Sequence, residues 1–424
     1  MLASVPRAPS PAESGRGAKP RPLHIRKPFS ARGDAEIAEE APLLPIVNTA
    51  SSAPSREPNK ASRKLDPIGR ADIRTRRPPA GRGCGGAGIA VNAPGMRICR
   101  SYSGVPAAAR GAVVALGNFD GVHLGHRLVV GRAVELAEGL GAPLAVLSFE
   151  PHPVQVLRPE SAPNRLTPFR AKARRLRECG VAWFYCLHFT RAFSERSPDW
   201  FMAEVLAKGL GVRHVVVGHD YRFGKGRAGG VETLSDGGAR LGFAVTAVDA
   251  IGNAGEVYSS TRVRQYLQRG EPRLAAAILG HLWEVEGRVR SGDARGRGLG
   301  YPTANLRLDD TVAPAFGIYA VWAGIVGDND TDTDTDWHPA VASCGVRPTF
   351  AGADPVLEVH LFDFDGDLYG RYLRVAFVTW IRAEERFEDA GALVRQMAED
   401  CREARFMLAG ARPPRDVGRT AFNQ

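Results

Sequence analysis

The sequence predicts an α/β protein: a doubly wound parallel sheet, then a small antiparallel β-barrel closed by a C-terminal helix, behind a disordered N-terminal extension. Three observations carry this reading. Between Ala112 and about Val248, short apolar runs alternate with amphipathic stretches, as in a parallel sheet whose crossovers are helices. After about residue 281 the apolar runs are separated by turn-forming clusters instead, as between antiparallel strands. Residues 1–95 are rich in Pro, Ala, Arg, Ser and Gly and have no period of 3.6 or 2. Such a composition buries too little apolar surface to offset the entropy of ordering it.

The extension also accounts for most of the charge. The 424-residue chain has a net charge of +10, but residues 1–95 hold 16 Lys plus Arg against 8 Asp plus Glu, leaving 40 against 38 in the remainder. The folded body therefore gives no electrostatic reason to expect a nucleic-acid partner. The acidic stretch Glu36 to Glu40 departs from the acid-poor pattern of a transit peptide. The simplest reading is that translation begins at Met96, where MRICRSYSG leads into the first strand; a basic arm for an acidic partner is the alternative. Cys84, Cys99, Cys179, Cys186, Cys344 and Cys401 are scattered, with no C-x-x-C. That suits reduced thiols in a cytoplasmic protein and argues against structural zinc. No apolar stretch approaches the roughly 18–20 residues of a membrane-spanning helix.

In the first half, expected strands are 112–116, 143–149, 181–188, 213–218 and 243–248. Residues 126–139 read as a helix, with Val129, Ala133, Leu136, Ala137 and Leu140 on one stripe. Thr167-Pro168 and Ser197-Pro198 each read as an N-cap followed by proline at the first helical position. In the second half, expected strands are 283–289, 318–322, 356–361 and 372–380, with Asp363–Asp367 as a tight hairpin turn. The acidic run Asp328 to Asp336 reads as a solvated hairpin insertion, since it lacks the glycine and final glutamate of a calcium loop. A helix over about 384–408 carries Phe387, Ala390, Val394, Met397, Cys401 and Ala404 on one stripe. The halves divide near Gly270 to Gly280, giving 1–95 as extension, 96–280 and 281–410 as domains and 411–424 as a flexible tail.

Two stretches suggest chemistry in the first half. In GNFDGVHLGH, residues 117–126, a strand turns on glycines into a helix start. Such a turn offers free amides and the positive end of a helix dipole to phosphates. His123 and His126 add donors that could meet charge developing on a phosphoryl group. A pair of capping histidines, or half of a zinc site, is the alternative. In YSSTRVR, residues 258–264, hydroxyls and arginines at a helix start can hold a triphosphate or can simply cap the helix.

GNFDGVHLGH, SFEPHP at 148–153, VGHDYRFGKGRAGG at 217–230 and SSTRVR at 259–264 together resemble the adenylyltransferase half of the bifunctional bacterial FAD synthetases. GRGLGYPTANL at 296–306, GVRPTF at 345–350 and LEVHLFDFDGDLYG at 357–370 are similar to the riboflavin kinase half of that family. The resemblance covers 96–408. It implies a nucleotidyltransferase sheet domain and a riboflavin kinase barrel that phosphorylate riboflavin to FMN and adenylylate FMN to FAD. The substrates would be riboflavin, FMN and ATP, all small molecules, with Mg²⁺ as cofactor.

For the adenylyl step the resemblance implies His123 and His126 as catalytic. Gly117, Asn118, Asp120, Gly125, Asp220, Arg222, Arg227, Ser259, Ser260, Thr261, Arg262 and Arg264 would bind ATP or phosphate. Phe149 and His152 would face the flavin. For the kinase step it implies Glu358 as the base that takes the ribityl proton. Gly296, Gly298, Gly300, Tyr301 and Pro302 would form the nucleotide loop, and Arg347, Pro348 and Thr349 would contact flavin. The loop lacks the G-K-[ST] of a P-loop. Thr303 and Asn305 present oxygens that suit Mg²⁺. Cys344, before Gly345-Val346-Arg347, departs from the family pattern and bears on flavin affinity. Two rivals remain: a chain with one active half, or a flavin- or nucleotide-sensing regulator whose basic arm binds nucleic acid. Intact Glu358 and both histidines argue against the regulator. A homo-oligomer stays open.

Overall fold

The computed structural model describes residues 95–253, 256–292, 295–327, 335–349 and 352–414. The expected extension up to residue 94, the tail from 415 and most of the acidic run, 328–334, lie outside the described residues.

Six parallel strands form the first sheet: β1 (Arg97–Cys99), β2 (Val113–Leu116), β3 (Leu144–Glu150), β4 (Trp183–His188), β5 (His214–Gly218) and β6 (Ala244–Val248). Their spatial order is β1-β4-β3-β2-β5-β6. The order in which strands are added therefore reverses between β2 and β5, the point where open α/β sheets leave a crevice at their carboxyl edge. The central strands are covered on both faces and are apolar, whereas the edge strands β1 and β6 are partly exposed. Val114, Leu116, Ala145 and Leu147 pack into one cluster and Val113, Ala115, Leu144 and Val146 into another, with the period of two that a pleated strand imposes. The helix after β2 runs Leu124–Leu140 and stops at Gly141, whose φ of 58° ends it in the left-handed region.

A two-stranded ribbon, β7 (Gly252–Asn253) with β8 (Glu256–Val257), precedes helices Ser260–Gln268 and Pro272–Leu279. The second sheet is antiparallel, in the order β10-β13-β12-β11-β14-β9: β9 (Glu284–Arg288), β10 (Ala304–Arg307), β11 (Gly317–Val326), β12 (Thr335–Thr349), β13 (Gly352–Leu361) and β14 (Tyr372–Arg382). An Arg290–Asn305 bridge brings its two edges together into a nearly closed barrel. The closing helix, Ala390–Ala409, starts six residues later than its apolar stripe suggests, because Asp389 caps it through Ala392 N at 2.6 Å. Arg382 docks it onto β14 with two 2.7 Å bonds to Asp400.

Two expectations need correction. Thr167 does not cap a helix: Pro168 occupies the cap of Phe169–Glu178 without a side-chain bond, and the Thr167 hydroxyl accepts from Gly121 N at 2.9 Å instead. Ser197 does cap, accepting from Trp200 N at 3.2 Å. Asp363–Asp367 is no hairpin turn, since β13 pairs with β10 and β12 whereas β14 pairs with β9 and β11. Residues 362–371 instead carry the chain from one side of the barrel to the other. β12 went unpredicted because Pro339, Gly345 and Pro348 all argue against a strand in isolation.

The described halves share a core. Val263, Leu267, Ala275, Ile278 and Leu279 of the two connecting helices, with Leu166 from the first half, pack against barrel residues Trp283, Tyr319, Leu357 and Phe377. Beside this core lies a buried ion cluster. Glu284 of β9 accepts from Arg175 (2.5 Å), Arg174 (2.9 Å) and Arg374 (3.0 Å). Arg174 also holds Glu286 at 2.6 Å. Burial alone would raise the Glu284 pKa, but Arg175, Arg174 and Arg374 outweigh it and hold the carboxyl well below the usual range.

Candidate active sites

The first site is built on the turn after β2. Its backbone is unusual: Phe119, Gly121 and Val122 have φ of 50°, 87° and 42°. Val122 is β-branched, and such residues enter the left-handed region only where the surroundings over-determine it. Four side chains supply that constraint. The buried Asp120 carboxylate accepts from Leu166 N and Thr167 N, each at 3.0 Å, and from the Arg264 guanidinium. Thr167 binds Gly121 N, and Ser260 Oγ donates to Asp120 O at 2.7 Å. Motifs 140 residues apart thus meet at one turn. Ser260, Arg264 and Asp120 act in this geometry as its internal clasp; Arg264 also donates to Asn164 O at 2.9 Å. Ser259 caps its helix, accepting from Arg262 N at 3.3 Å, while Thr261 is exposed. Arg262 lies over Tyr266 and reaches Gln265.

His123 and His126 stack with ring centroids 3.7 Å apart. His123 Nδ1 accepts from His126 N at 3.3 Å, which puts its proton on Nε2 and makes that nitrogen a donor. Burial pushes His123 down to about 4, opposed by Asp120. Burial, with His123 and Lys172 adding, holds His126 well below its ordinary value. Both rings are therefore neutral at pH 7. His126 Nδ1 is buried with no hydrogen-bond partner among the described residues. Gly125 lies against the His123 ring, where a Cβ would sit 3.1 Å from it.

The other first-half residues line the same carboxyl edge. Gly117 continues β2, Asn118 is exposed, and its carbonyl accepts from Ser148 Oγ at 3.1 Å. Phe149, at the end of β3, joins Phe189 and Phe193 at centroid distances of 5.5 Å. This gives an aromatic wall beside the turn. His152 caps the short helix Pro153–Leu157 through Val154 N at 3.3 Å; burial pushes it down to about 4. Asp220, Arg222 and Arg227 lie exposed beyond β5, the strand next to β2 in the sheet.

Several participants left no motif. Arg165 pairs with Glu150 and, at 3.0 Å, with Asp310, while Arg165 N donates to Asp310 O at 2.8 Å and Val312 N donates to Arg165 O at 2.9 Å. Lys172 is buried with Glu150 at 3.9 Å, and burial lowers its pKa. Their partners are distant in sequence, so only the fold reveals them.

The second site lies on the barrel. Glu358 of β13 pairs in register with Asn305 of β10 and Ser343 of β12, so the three share a face. Leu357 and Val359 are buried on the opposite face. Thr303 and the buried Asn305 border a cleft with Pro302, Phe364, Leu368 and Tyr369; Val359 lines it from β13, and Glu358, on the other face of that strand, is not among the lining residues. The cleft joins apolar and aromatic walls, suited to a flat ring, to oxygen donors suited to a hard cation. No group of three or more His, Cys, Asp or Glu with metal-binding geometry occurs among the described residues. Mg²⁺ needs none when phosphates and water fill most of its sphere.

The expected glycine loop is helical in part: Arg295–Gly298 forms one helical turn, and the following Gly300 and Tyr301 are closed back onto it by Tyr301 N to Gly296 O at 2.8 Å. Gly296 is packed so tightly that a Cβ would fall 2.4 Å from Tyr301 O. Pro302 O accepts from His360 Nδ1 at 2.8 Å, tying the loop to the strand that carries Glu358. Arg347, Pro348 and Thr349 lie at the end of β12, paired with Asp354, Ala353 and Gly352; their side chains lie outside the described set. Cys344 is a core side chain, and burial pushes its thiol up to about 12. Glu384 sits against Gly345, and burial together with Glu358 raises its pKa.

Both halves of the chain are similar to known proteins. Residues 105–262 match the family model described as FAD synthetase, and 279–408 match that described as riboflavin kinase. The chain is 39% identical over 319 residues to the Escherichia coli K12 protein named bifunctional riboflavin kinase/FMN adenylyltransferase, covering 75% of this chain and all of that one. Proteins of the same name from Pseudomonas fluorescens and Bacillus subtilis are 40% and 36% identical, covering 74% and 69% of this chain and 98% and 91% of theirs. A crystal structure titled as a macrolide-efflux protein from Streptococcus pneumoniae superposes with a TM-score of 0.64 at 31% identity, covering 73% of this chain and 98% of that one. No helix among the described residues is long and apolar enough to cross a membrane.

Proposed function

The chain belongs to the family of bifunctional riboflavin kinases/FMN adenylyltransferases and makes FMN from riboflavin and then FAD from FMN, and from that premise we propose how its residues divide the work. The register pairing of Glu358 with Asn305 carries the kinase assignment. Glu358 takes the proton from the terminal ribityl hydroxyl. That oxygen bonds the γ-phosphorus of ATP as the bond to the β,γ-bridging oxygen breaks, releasing ADP. Thr303 and Asn305 would hold Mg²⁺, which when bound would neutralise charge on the nucleotide phosphates. Gly296 to Pro302 would close over the nucleotide, and the 345–349 stretch, including Arg347, Pro348 and Thr349, would face flavin.

In the adenylyl step a phosphate oxygen of FMN bonds the α-phosphorus of a second ATP, and pyrophosphate leaves. His123 and His126 act as neutral donors to the phosphoryl oxygens, since their rings carry no charge at pH 7. Asn118, Arg262 and the Asp220 to Arg227 stretch line the nucleotide side, with Gly117 and Gly125 letting its phosphates approach. Phe149 and His152 flank the flavin. Neither step needs a covalent enzyme intermediate, so position and charge stabilisation supply the acceleration.

Two results are expected. His126→Ala should lower FAD formation by roughly 10²- to 10³-fold, the effect of losing one preorganised transition-state donor, while FMN formation stays at the parent rate. Chromatographic separation of riboflavin, FMN and FAD over time reads both; loss of both activities in a folded variant would contradict the division. Chelation of Mg²⁺ by excess EDTA should stop both steps, and adding Mg²⁺ back should restore both. Activity persisting in a chelated, metal-free sample would contradict the assignment of Thr303 and Asn305.

A further inference from the structure

The histidine turn is held from the barrel side as well as from its own domain. Residues 279–281, which lead into β9, enclose it. Gly121 has no room for a side chain: a Cβ there would lie 3.0 Å from Leu166 Cδ1 and 3.2 Å from Leu279 Cδ2. Gly280, at φ 73°, lies so close to Leu124 that a Cβ would come within 2.5 Å of Leu124 Cδ2. His281 completes the enclosure, with Nε2 3.1 Å from Gly121 O and Nδ1 2.8 Å from Leu282 O. Two residues further, Trp283 Nε1 donates to Leu166 O at 3.0 Å, beside the Asp120 clasp.

A turn with φ of 50°, 87° and 42° at Phe119, Gly121 and Val122 does not hold itself. Asp120, Thr167 and Ser260 fix its amide side and the Asp120 carbonyl. The Gly121 carbonyl is left to His281. That carbonyl belongs to the residue two positions before His123, so its orientation sets the direction in which both histidines leave the turn.

We propose that His281 is a positioning residue for adenylyl transfer: its Nε2–H holds the Gly121 carbonyl and so aims His123 and His126 at the phosphates. The proposal rests on reading those histidines as the adenylyl site. Burial, followed by Arg175, pushes the imidazole down to about 3, so the ring carries one proton, for which Leu282 O at Nδ1 and Gly121 O at Nε2 compete. Holding Gly121 requires the proton on Nε2.

Three substitutions in the full chain separate this role from simple packing. A glutamine amide nitrogen reaches the place of Nε2, an asparagine one the place of Nδ1, and phenylalanine fills the space with no donor. His281→Gln should keep FAD formation within about threefold of the parent. His281→Asn and His281→Phe should lower kcat for FAD formation by roughly 10- to 100-fold, as misplaced catalytic groups do, with KM for ATP and the rate of FMN formation unchanged. Equal FAD rates in the Gln and Asn variants would overturn the proposal. So would FAD and FMN formation falling together with the melting temperature in all three, the result of a structural role. His126→Ala in parallel tests the underlying reading: if it leaves FAD formation intact, the site assignment fails, whereas its loss beside a fully active His281→Asn sinks the positioning role alone.

Discussion

Glu358→Gln lowers riboflavin phosphorylation by roughly 10²- to 10⁴-fold, the range a positioned general base contributes, while FMN supplied directly is still converted to FAD at the parent rate. The substitution keeps the shape of the side chain and removes only its ability to take a proton. Its neighbours favour that limited effect. Glu358 is half-buried, flanked in register by Asn305 and Ser343, and its strand is anchored by Leu357 and Val359 on the opposite face. The barrel should therefore fold unchanged. Separate initial rates with riboflavin and with FMN check the result. A drop in both would mean that Glu358 supports the fold or that the two steps share machinery.

Glu284→Gln is expected to destabilise the protein by about 3–5 kcal/mol, the cost of removing one partner from a buried ion pair. Arg174 and Arg374 are 2% and 0% exposed, and Arg175 is 4% exposed, so neither water nor relaxation easily replaces the lost charge. Arg174 and Arg175 belong to the first half, Glu284 and Arg374 to the barrel. Both activities should therefore be lost in parallel on heating. The acid dependence has a definite sign. Because the folded pKa of Glu284 is depressed, its contribution is complete above the ordinary glutamate value of about 4.3 and fades as pH falls below it. Thermal melts of parent and variant should differ widely at pH 7 and draw together progressively as pH falls below about 4, meeting only once pH passes the depressed folded value. A difference that stays constant with pH would show that packing, not charge, holds the halves there.

Periodicity made much of the fold readable before any coordinates. The alternation of Val113 to Leu116 with the stripe of Val129, Ala133 and Ala137 gave a buried strand and its helix, and both lie where the pattern puts them. The histidine turn was legible for the same reason, because glycines after a buried strand mark a sharp turn into a helix. The unread parts depend on partners far along the chain. Thr167 looks like a cap beside Pro168, but Asp120 and Gly121, 46 residues or more away, claim its backbone and hydroxyl. His281 finds Gly121 across 160 residues. Arg174 and Arg175 resemble a solvated helix face until Glu284 buries them. β12 carries two prolines and a glycine that its neighbours β11 and β13 accommodate.

The same contrast qualifies the site. Sequence alone groups Ser260, Arg264 and Asp120 with the phosphate binders, whereas in the fold they bind one another and the turn. Their substitution should act through the shape of that turn. Asp220, Arg222 and Arg227 remain exposed beyond β5.

The central claim is that two independent sites act in sequence, and mixing two inactivated variants tests it most directly. Neither His126→Ala nor Glu358→Gln alone should convert riboflavin to FAD at an appreciable rate. Combined in one tube with riboflavin, ATP and Mg²⁺, the first supplies FMN and the second adenylylates it, so FAD should accumulate after a lag as FMN rises. A mixture that makes no more FAD than either variant alone, with both proteins folded, would contradict the account.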